Sequence, residues 1–210
     1  MMSPYAARAA IVAAAVSLFT LAALHILKPD LHPSRTMISQ YALGPYGWVM
    51  VLCFAAFGVA SGSLAVAMVP YVRSLGGRIG IALLLTAAVG LVMAARFPMD
   101  PVSTPSAQMS HSGRMHGVAF LLGVPSMVLA VLILSFALDS QVSYAGWLLM
   151  TIAAVIWLSL IIMIAIMLMV GPGKPPDSNG PERFVGVPNR SLMVAYAAWL
   201  IVVAWPIAQQ

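Results

Sequence analysis

The sequence has very little charge. Only 7% of its 210 residues are Asp, Glu, Lys or Arg, whereas 62% are hydrophobic. Because a soluble domain carries about 25% charged residues, this chain lacks the polar surface that a fold in water requires. A lipid bilayer is therefore the expected surrounding of the fold, and the net charge of +5 suits contact with anionic lipid headgroups.

Cysteine is nearly absent, and basic residues do not form runs. Cys53 is the single cysteine, which excludes an intramolecular disulfide and a metal site built from several cysteines. The lysines and arginines lie in separate loops without interleaved aromatic residues. Nucleic acid is therefore not an expected partner.

Long apolar segments dominate what is present. Roughly 20 apolar residues are needed for a helix to cross the hydrocarbon core, and six segments qualify. None of them shows the sustained alternation of a β-barrel strand, and backbone groups in lipid must be satisfied within the segment. The sequence therefore predicts an all-α fold, a single domain of six transmembrane helices. The predicted spans are about 9–27, 46–69, 79–95, 115–138, 144–170 and 192–208.

Six spans place both termini on the same side of the membrane, here called the near side. The opposite, far side receives three long loops, at about residues 28–45, 96–114 and 171–191. Lys and Arg number three on the near side and seven on the far side, which by the positive-inside rule would place the far side in the cytoplasm. Several far-side arginines, however, lie beside acidic residues and are candidate site residues. Arg8 and the YVRSLGGR turn are typical cytoplasmic anchors, so we favour cytoplasmic termini.

The ionisable residues are concentrated on the far side. All four histidines and four of the five acidic residues lie in or beside its loops. These residues are His25, His32, His111, His116, Asp30, Asp100, Asp177 and Glu182. Such a one-sided distribution indicates a functional site at this face.

Four far-side motifs occur in order along the chain. SQYALGPYGW enters the second span, FPMDP leaves the third, HG at His116–Gly117 opens the fourth, and FVGVPNR enters the sixth. Together these motifs resemble, over nearly the whole chain, a bacterial family of multi-pass membrane proteins of unknown function, DUF998. The resemblance implies a helical bundle in the bacterial inner (cytoplasmic) membrane, and it implies no activity.

Cations lie where the fourth and sixth helices are predicted to begin. Helix N-termini carry partial positive charge and favour acidic neighbours. This chain instead places His111, Arg114 and His116 at the start of the fourth helix and Arg190 at the start of the sixth. Asn189 is predicted to be the N-cap of the sixth helix. An anion, either internal or a ligand, is expected to offset these cations.

Two interpretations of these cations are open. In the first, arginine–carboxylate pairs tie the far-side loops over the bundle as a structural lid, and the internal anion is Asp30, Asp100 or Glu182. In the second, helix N-termini and arginines converge on a pocket for a small anion, such as a lipid phosphate or a small carboxylate. The candidate ligand-binding residues are Arg35, Ser39, Tyr41, Arg96, Arg114, Asn189 and Arg190.

A metal-dependent membrane hydrolase is an alternative function. Asp100, His111 and His116 are its candidate catalytic residues, and with His32 they could hold zinc and activate water. His111 and His116 are five positions apart, which separates them by about 140° on a helix. They could share a metal only if the chain between them is not helical.

No cofactor is predicted, but haem b is considered beside zinc. His25 and His116 are expected at similar depth and could supply two axial ligands. A further alternative is a structural or assembly subunit of a membrane complex that has no ligand of its own.

Gly58 and Gly62 form a GxxxG pair in the second span. This spacing predicts close packing against a neighbouring helix of the same bundle, and a homodimer face is the alternative. The oligomeric state stays open.

Overall fold

Six apolar stretches form long α-helices, because hydrocarbon offers their backbone groups no hydrogen-bond partner outside the segment. The computed structural model describes residues 3–139, 146–170 and 180–210, apart from the side chains of Asp139 and Glu182. Within these ranges there are no strands, and each of the six helices is long and apolar enough to cross a membrane. The predicted all-α, six-helix fold is therefore confirmed. The helices are α1 Ser3–Leu27, α2 Gly47–Met68, α3 Leu75–Arg96, α4 His111–Asp139, α5 Gly146–Val170 and α6 Gly186–Ala208.

Four helices begin before the predicted spans, in more polar residues. α1 begins at Ser3, α3 at Leu75, α4 at His111 and α6 at Gly186, rather than near positions 9, 79, 115 and 192. At α3 the cause is a side-chain cap, since Ser74 Oγ accepts a hydrogen bond from the Gly77 amide at 3.1 Å. Hydropathy marks the residues that prefer lipid, whereas capping decides where a helix starts.

The helices form a closed ring. Each helix packs against the next one in the chain, α6 packs back against α1, and α6 also touches α2. Trp199 and Tyr196 of α6 and Phe57 of α2 are among the largest fully buried side chains. The outward faces are also apolar, with Phe19 and Leu121 among the exposed residues. A helix that is apolar all round suits a bundle whose outer surface faces lipid.

Glycines let neighbouring helices approach closely. A Cβ at Gly58 would lie 2.7 Å from Val92 Cγ2 of α3, and a Cβ at Gly90 would lie 2.5 Å from the Cα of Gly123 in α4. Gly58 therefore packs against a helix of its own bundle, which confirms the first interpretation of the GxxxG pair.

Two buried polar pairs join α6 to its neighbours. The hydroxyl groups of Tyr196 and Ser61 lie 2.6 Å apart, and Trp199 Nε1 donates to Ser135 Oγ at 2.9 Å. All four side chains are fully buried. Because an unsatisfied polar group within the membrane is costly, each pair fixes α6 against α2 or α4.

The start of α1, the end of α2 and the end of α6 lie at one end of the bundle. Arg8 Nε in α1 donates to the carbonyl oxygen of Ala208 in α6 at 3.0 Å. Ser3 Oγ donates to the carbonyl oxygen of Ala67 in α2 at 2.6 Å. The opposite end, here called the far end, contains the end of α1, the starts of α2 and α6, and the 28–46 segment between α1 and α2. The membrane side that each end faces stays a prediction.

Candidate functional site

Arg190, in the first turns of α6, joins three elements of the far end. Its Nε donates to Nε2 of His25 in α1 at 2.8 Å, and its Nη2 donates to the hydroxyl of Tyr41 at 2.9 Å. Its Nη1 donates to the carbonyl oxygens of Thr36 at 2.6 Å and Gly186 at 3.1 Å. These bonds engage four of the five N–H groups of the guanidinium. We call these residues the Arg190 cluster.

The contacts of His25 indicate which of its ring nitrogens donates and which accepts. Arg190 Nε can only donate, so Nε2 of His25 must accept with its lone pair. Nδ1 lies 2.7 Å from the carbonyl oxygen of Leu21, which can only accept, so Nδ1 carries the proton. The His25 ring therefore links α1 to α6 through one hydrogen bond to each helix.

The 28–46 segment is also bound to the backbone of α6. The amide of Gly186 donates to the carbonyl oxygen of Ser34 at 2.8 Å, and Asn189 Oδ1 accepts from the amide of Ile38 at 2.7 Å. The prediction that Asn189 is the N-cap of α6 is wrong, because Val185 takes that position and α6 starts at Gly186. Asn189 lies inside the first turn and serves a neighbouring segment instead.

Lys28 follows α1 and directs its ammonium group into the 28–46 segment. Nζ donates to the carbonyl oxygen of Tyr41 at 3.1 Å and to that of Leu43. The side chain is only 5% exposed. The buried Tyr41 is thus held at its carbonyl by Lys28 and at its hydroxyl by Arg190. Among the described side chains, neither cation is paired with a carboxylate.

A cleft of about 510 Å³ opens beside Lys28 at the end of α1. Its volume lies within the range of about 300–1,000 Å³ that is usual for small-ligand sites. Its walls combine an apolar side with polar and charged groups. They include Leu27, Lys28, Asp30, Leu31, Gln40 and Tyr46. We call it the Lys28 cleft.

Asp100 caps the start of α4. Its Oδ2 accepts from the amide of Ser110 and its Oδ1 from the hydroxyl of Ser110, both at 2.7 Å. Ser110 Oγ in turn accepts from the amide of Gly113 at 3.0 Å. The carboxylate therefore lies at the positive end of the helix, near His111 and Arg114. At the start of α4, the anion expected to offset the cations is therefore the protein's own Asp100 carboxylate.

The candidate metal ligands do not converge. The chain from His111 to His116 is helical, which places the two rings on different sides of α4. The exposed His111 ring meets the Phe97 ring edge-on at 6.1 Å between centroids, and His116 Nδ1 lies 2.8 Å from the Phe97 carbonyl oxygen. In the part of the chain that the structure describes, no group of three or more His, Cys, Asp or Glu could hold a metal ion.

The remaining histidines are also engaged locally. His32 is exposed, and its Nδ1 lies 2.9 Å from Ser34 Oγ. Both ring nitrogens of His25 are occupied within the bundle, so none is left for a haem iron. His116 packs near Phe54 of α2, with 6.2 Å between ring centroids. This geometry gives the two-histidine haem site no support.

Three of the candidate arginines lie apart from the Arg190 cluster. Arg35, Arg96 and Arg114 are exposed. Arg114 Nη1 donates to the carbonyl oxygen of Met109, which precedes its own helix. Of the candidate ligand-binding residues, Ser39 and Tyr41 share one short turn, and Tyr41 contacts Arg190 directly. The far-end cations therefore form separate local structures.

Sequence reasoning missed the role of Lys28 and counted it only as a far-side cation. A lysine after an apolar helix usually extends along the protein surface to keep its charge in water. Nothing in the local sequence indicates that the 28–46 segment folds back over this ammonium group. Two of the acidic residues predicted to lie at the far side, Asp177 and the side chain of Glu182, lie outside the described residues.

Comparison with known proteins assigns this chain to a protein family. No curated protein and no solved structure matches the chain. A family model described as "Protein of unknown function (DUF998)" matches residues 11–206 of the 210 residues. This match covers nearly the whole six-helix bundle, and it confirms the family resemblance that the far-side motifs indicated. The chain belongs to the DUF998 family of proteins of unknown function.

Proposed function

We propose that this protein binds a phosphate-bearing lipid headgroup in the Lys28 cleft. Lys28 supplies the positive charge, and the Arg190 cluster holds the 28–46 segment in the shape that forms the cleft wall. The anion recognition suggested by the far-side cations is thereby assigned to Lys28 rather than to Arg35, Arg114 and Arg190.

The burial of the Lys28 ammonium group is the observation that carries this proposal. A cation removed from water is costly unless an anion or several acceptors compensate it. Lys28 is 5% exposed and donates to two backbone carbonyl oxygens. An ammonium group has three N–H donors, so one remains for a ligand in the cleft. A phosphate oxygen would satisfy that donor and offset the charge.

The position of the cleft supports a lipid as the source of the phosphate. Lys28 comes directly after a helix that is long and apolar enough to span a membrane. The end of such a helix is where we expect headgroups to meet the hydrocarbon core. Leu27 and Leu31 line the cleft together with Gln40. Such a mixed wall suits a molecule that is apolar at one end and hydrogen-bonding at the other.

We also propose that the protein resides in the bacterial inner membrane with both termini in the cytoplasm. Arg8 and the turn before α3 supply cytoplasmic anchors. This orientation would place the Lys28 cleft in the outer leaflet of that membrane.

Native mass spectrometry of the purified protein in detergent can test the proposed function. Phosphatidylglycerol and phosphatidylethanolamine are the phosphate-bearing probes, and diacylglycerol is the matched lipid without phosphate. We expect retention of both phospholipids over diacylglycerol. Lys28→Met should weaken phospholipid binding by about tenfold or more, because one charged contact is lost. Arg35→Met, which removes an exposed cation from the same segment, is the control.

A second variant separates ligand binding from folding, because Lys28 also holds two carbonyl groups of the protein. Leu31→Trp fills the cleft and keeps every side-chain hydrogen bond of Lys28. It should weaken phospholipid binding while the unfolding temperature stays near that of the wild type. Unchanged phospholipid retention in Leu31→Trp, whatever the fate of Lys28→Met, would overturn the proposal.

A further inference from the structure

We infer that the headgroup in the Lys28 cleft is zwitterionic, with a phosphate and a protonated amine. This inference rests on the proposed function and specifies the class of its ligand. The inference is based on two features of the cleft lining: a cation and a carboxylate that are not paired with each other, and an exposed aromatic residue.

The Lys28 cleft contains a carboxylate beside its cation. Asp30 lines the same cleft and is exposed, whereas the Lys28 ammonium is buried. Within the described residues Lys28 donates to the Tyr41 and Leu43 carbonyl oxygens and forms no ion pair with Asp30. The two opposite charges therefore stay separate, although both residues belong to the lining of the cleft.

A ligand with a single negative charge would complement Lys28 but not Asp30. A phosphate that reaches Lys28 brings its negative charge near the Asp30 carboxylate, which opposes binding. A headgroup that carries a cation a few atoms beyond its phosphate converts this repulsion into a second attraction. Electrostatic complementarity of this kind selects among ligands that share one anchoring group.

Tyr46 adds an independent feature at the rim of the cleft. It is the only non-glycine residue with positive φ among those the structure describes, at φ 60° and ψ 10°. This left-handed conformation is uncommon for a bulky side chain. Tyr46 is 48% exposed and belongs to the lining of the cleft, rather than to the core. A cleft whose lining includes both an exposed aromatic residue and a carboxylate is a favourable site for an alkylammonium group.

Competition between two lipids that differ only in the headgroup terminus tests the inference. Phosphatidylethanolamine carries the amine, and phosphatidylglycerol carries hydroxyl groups in its place. In native mass spectrometry with equimolar lipids, we expect the wild type to prefer phosphatidylethanolamine by about tenfold. Asp30→Asn should abolish this preference and strengthen binding of phosphatidylglycerol. Asp100→Asn, which removes a far-end carboxylate outside the cleft, should keep the preference.

The outcomes distinguish this inference from the proposed function. Equal binding of the two lipids by the wild type, or a preference that survives Asp30→Asn, would overturn the zwitterionic headgroup while Lys28-dependent phospholipid binding stands. If Leu31→Trp retains phospholipid as well as the wild type does, both the proposed function and this inference would be overturned. Tyr46→Leu should reduce the preference for the amine without affecting phosphatidylglycerol. Soluble glycerophosphoethanolamine should not displace the lipid; displacement would keep the chemistry and make a free phosphate ester the ligand.

Discussion

At the scale of single residues, Arg190 acts as a clamp between helices. Its planar group matches four acceptors that come from α1, from α6 itself and from the 28–46 segment. A point charge on a flexible stem could not satisfy acceptors spread in this way. The position at the start of a helix is unfavourable for a cation, and the hydrogen bonds offset that cost.

Arg190→Lys should therefore destabilise the protein although it keeps the charge. We expect the free energy of unfolding to fall by about 2–4 kcal/mol, because His25 and Tyr41 lose their donor within a half-buried site. Denaturant unfolding in detergent, followed by circular dichroism, measures this change. The matched control is Arg114→Lys at an exposed position, with an expected effect of about 0.5 kcal/mol or less. Equal effects of the two variants would contradict the view that the Arg190 hydrogen bonds hold these elements together.

Asp100 offers a second test at this scale, since its contacts are those of a helix cap. Asp100→Ala removes the acceptor of the Ser110 amide and hydroxyl, so the free energy of unfolding should fall by about 1–2 kcal/mol. Asp100→Asn retains one acceptor and should cost less. Elemental analysis of the same samples addresses the hydrolase alternative: stoichiometric zinc in the wild type that is lost in Asp100→Ala would contradict a purely structural role.

At the scale of helices, the packing depends on small residues where two backbones approach. Gly90 of α3 faces the backbone of Gly123 in α4, so even a methyl group would push the helices apart. The apolar sequence of these helices is compatible with many packing arrangements in lipid. The close contact between Gly90 and Gly123 favours the one arrangement in which the two glycines face each other.

Gly90→Ala should lower the free energy of unfolding by about 1–3 kcal/mol, because the added methyl group cannot be accommodated without moving a helix. Gly117→Ala is the matched control within α4, since a Cβ there has no neighbour within 4 Å. The control should be neutral or stabilise by up to about 1 kcal/mol through its helix propensity. Unfolding titrations of both variants in one detergent give the comparison. A Gly90→Ala protein as stable as the wild type would show that the two helices are not in close contact.

At the scale of the whole molecule, the ring has two chemically different ends. The end that contains the start of α1 and the end of α6 is joined by contacts such as the hydrogen bond from Arg8 Nε to the carbonyl oxygen of Ala208. The far end contains the Arg190 cluster, the Lys28 cleft and the Asp100 cap. In the part of the chain that the structure describes, the polar clusters discussed above therefore lie at one end of the bundle.

Cysteine labelling of intact bacteria tests which interface this is. The native Cys53 is fully buried, so a single added cysteine reports its own position. With cytoplasmic termini, Val102→Cys at the far end should react with a membrane-impermeant maleimide, and Arg73→Cys at the other end should react only after lysis. The reverse pattern would invert the orientation. Labelling of both positions in intact cells would contradict the expected alternation of the loops.

The sequence by itself determined the surroundings, the helix number and the general location of the polar groups. Low charge and six apolar stretches leave no other fold class, because backbone groups in hydrocarbon must bond within their own segment. Hydropathy also predicted that histidines and acids gather beside the far-end loops, as His25, Asp100 and His116 do.

Only the tertiary structure decided which of these groups meet. Arg190 is 165 positions from His25 and 149 from Tyr41, and no local pattern encodes contacts over such distances. Lys28 has an ordinary interfacial sequence, and it is buried because a segment anchored to α6 folds over it. Hydropathy depends on each residue's own transfer free energy, whereas a site depends on the joint placement of several elements.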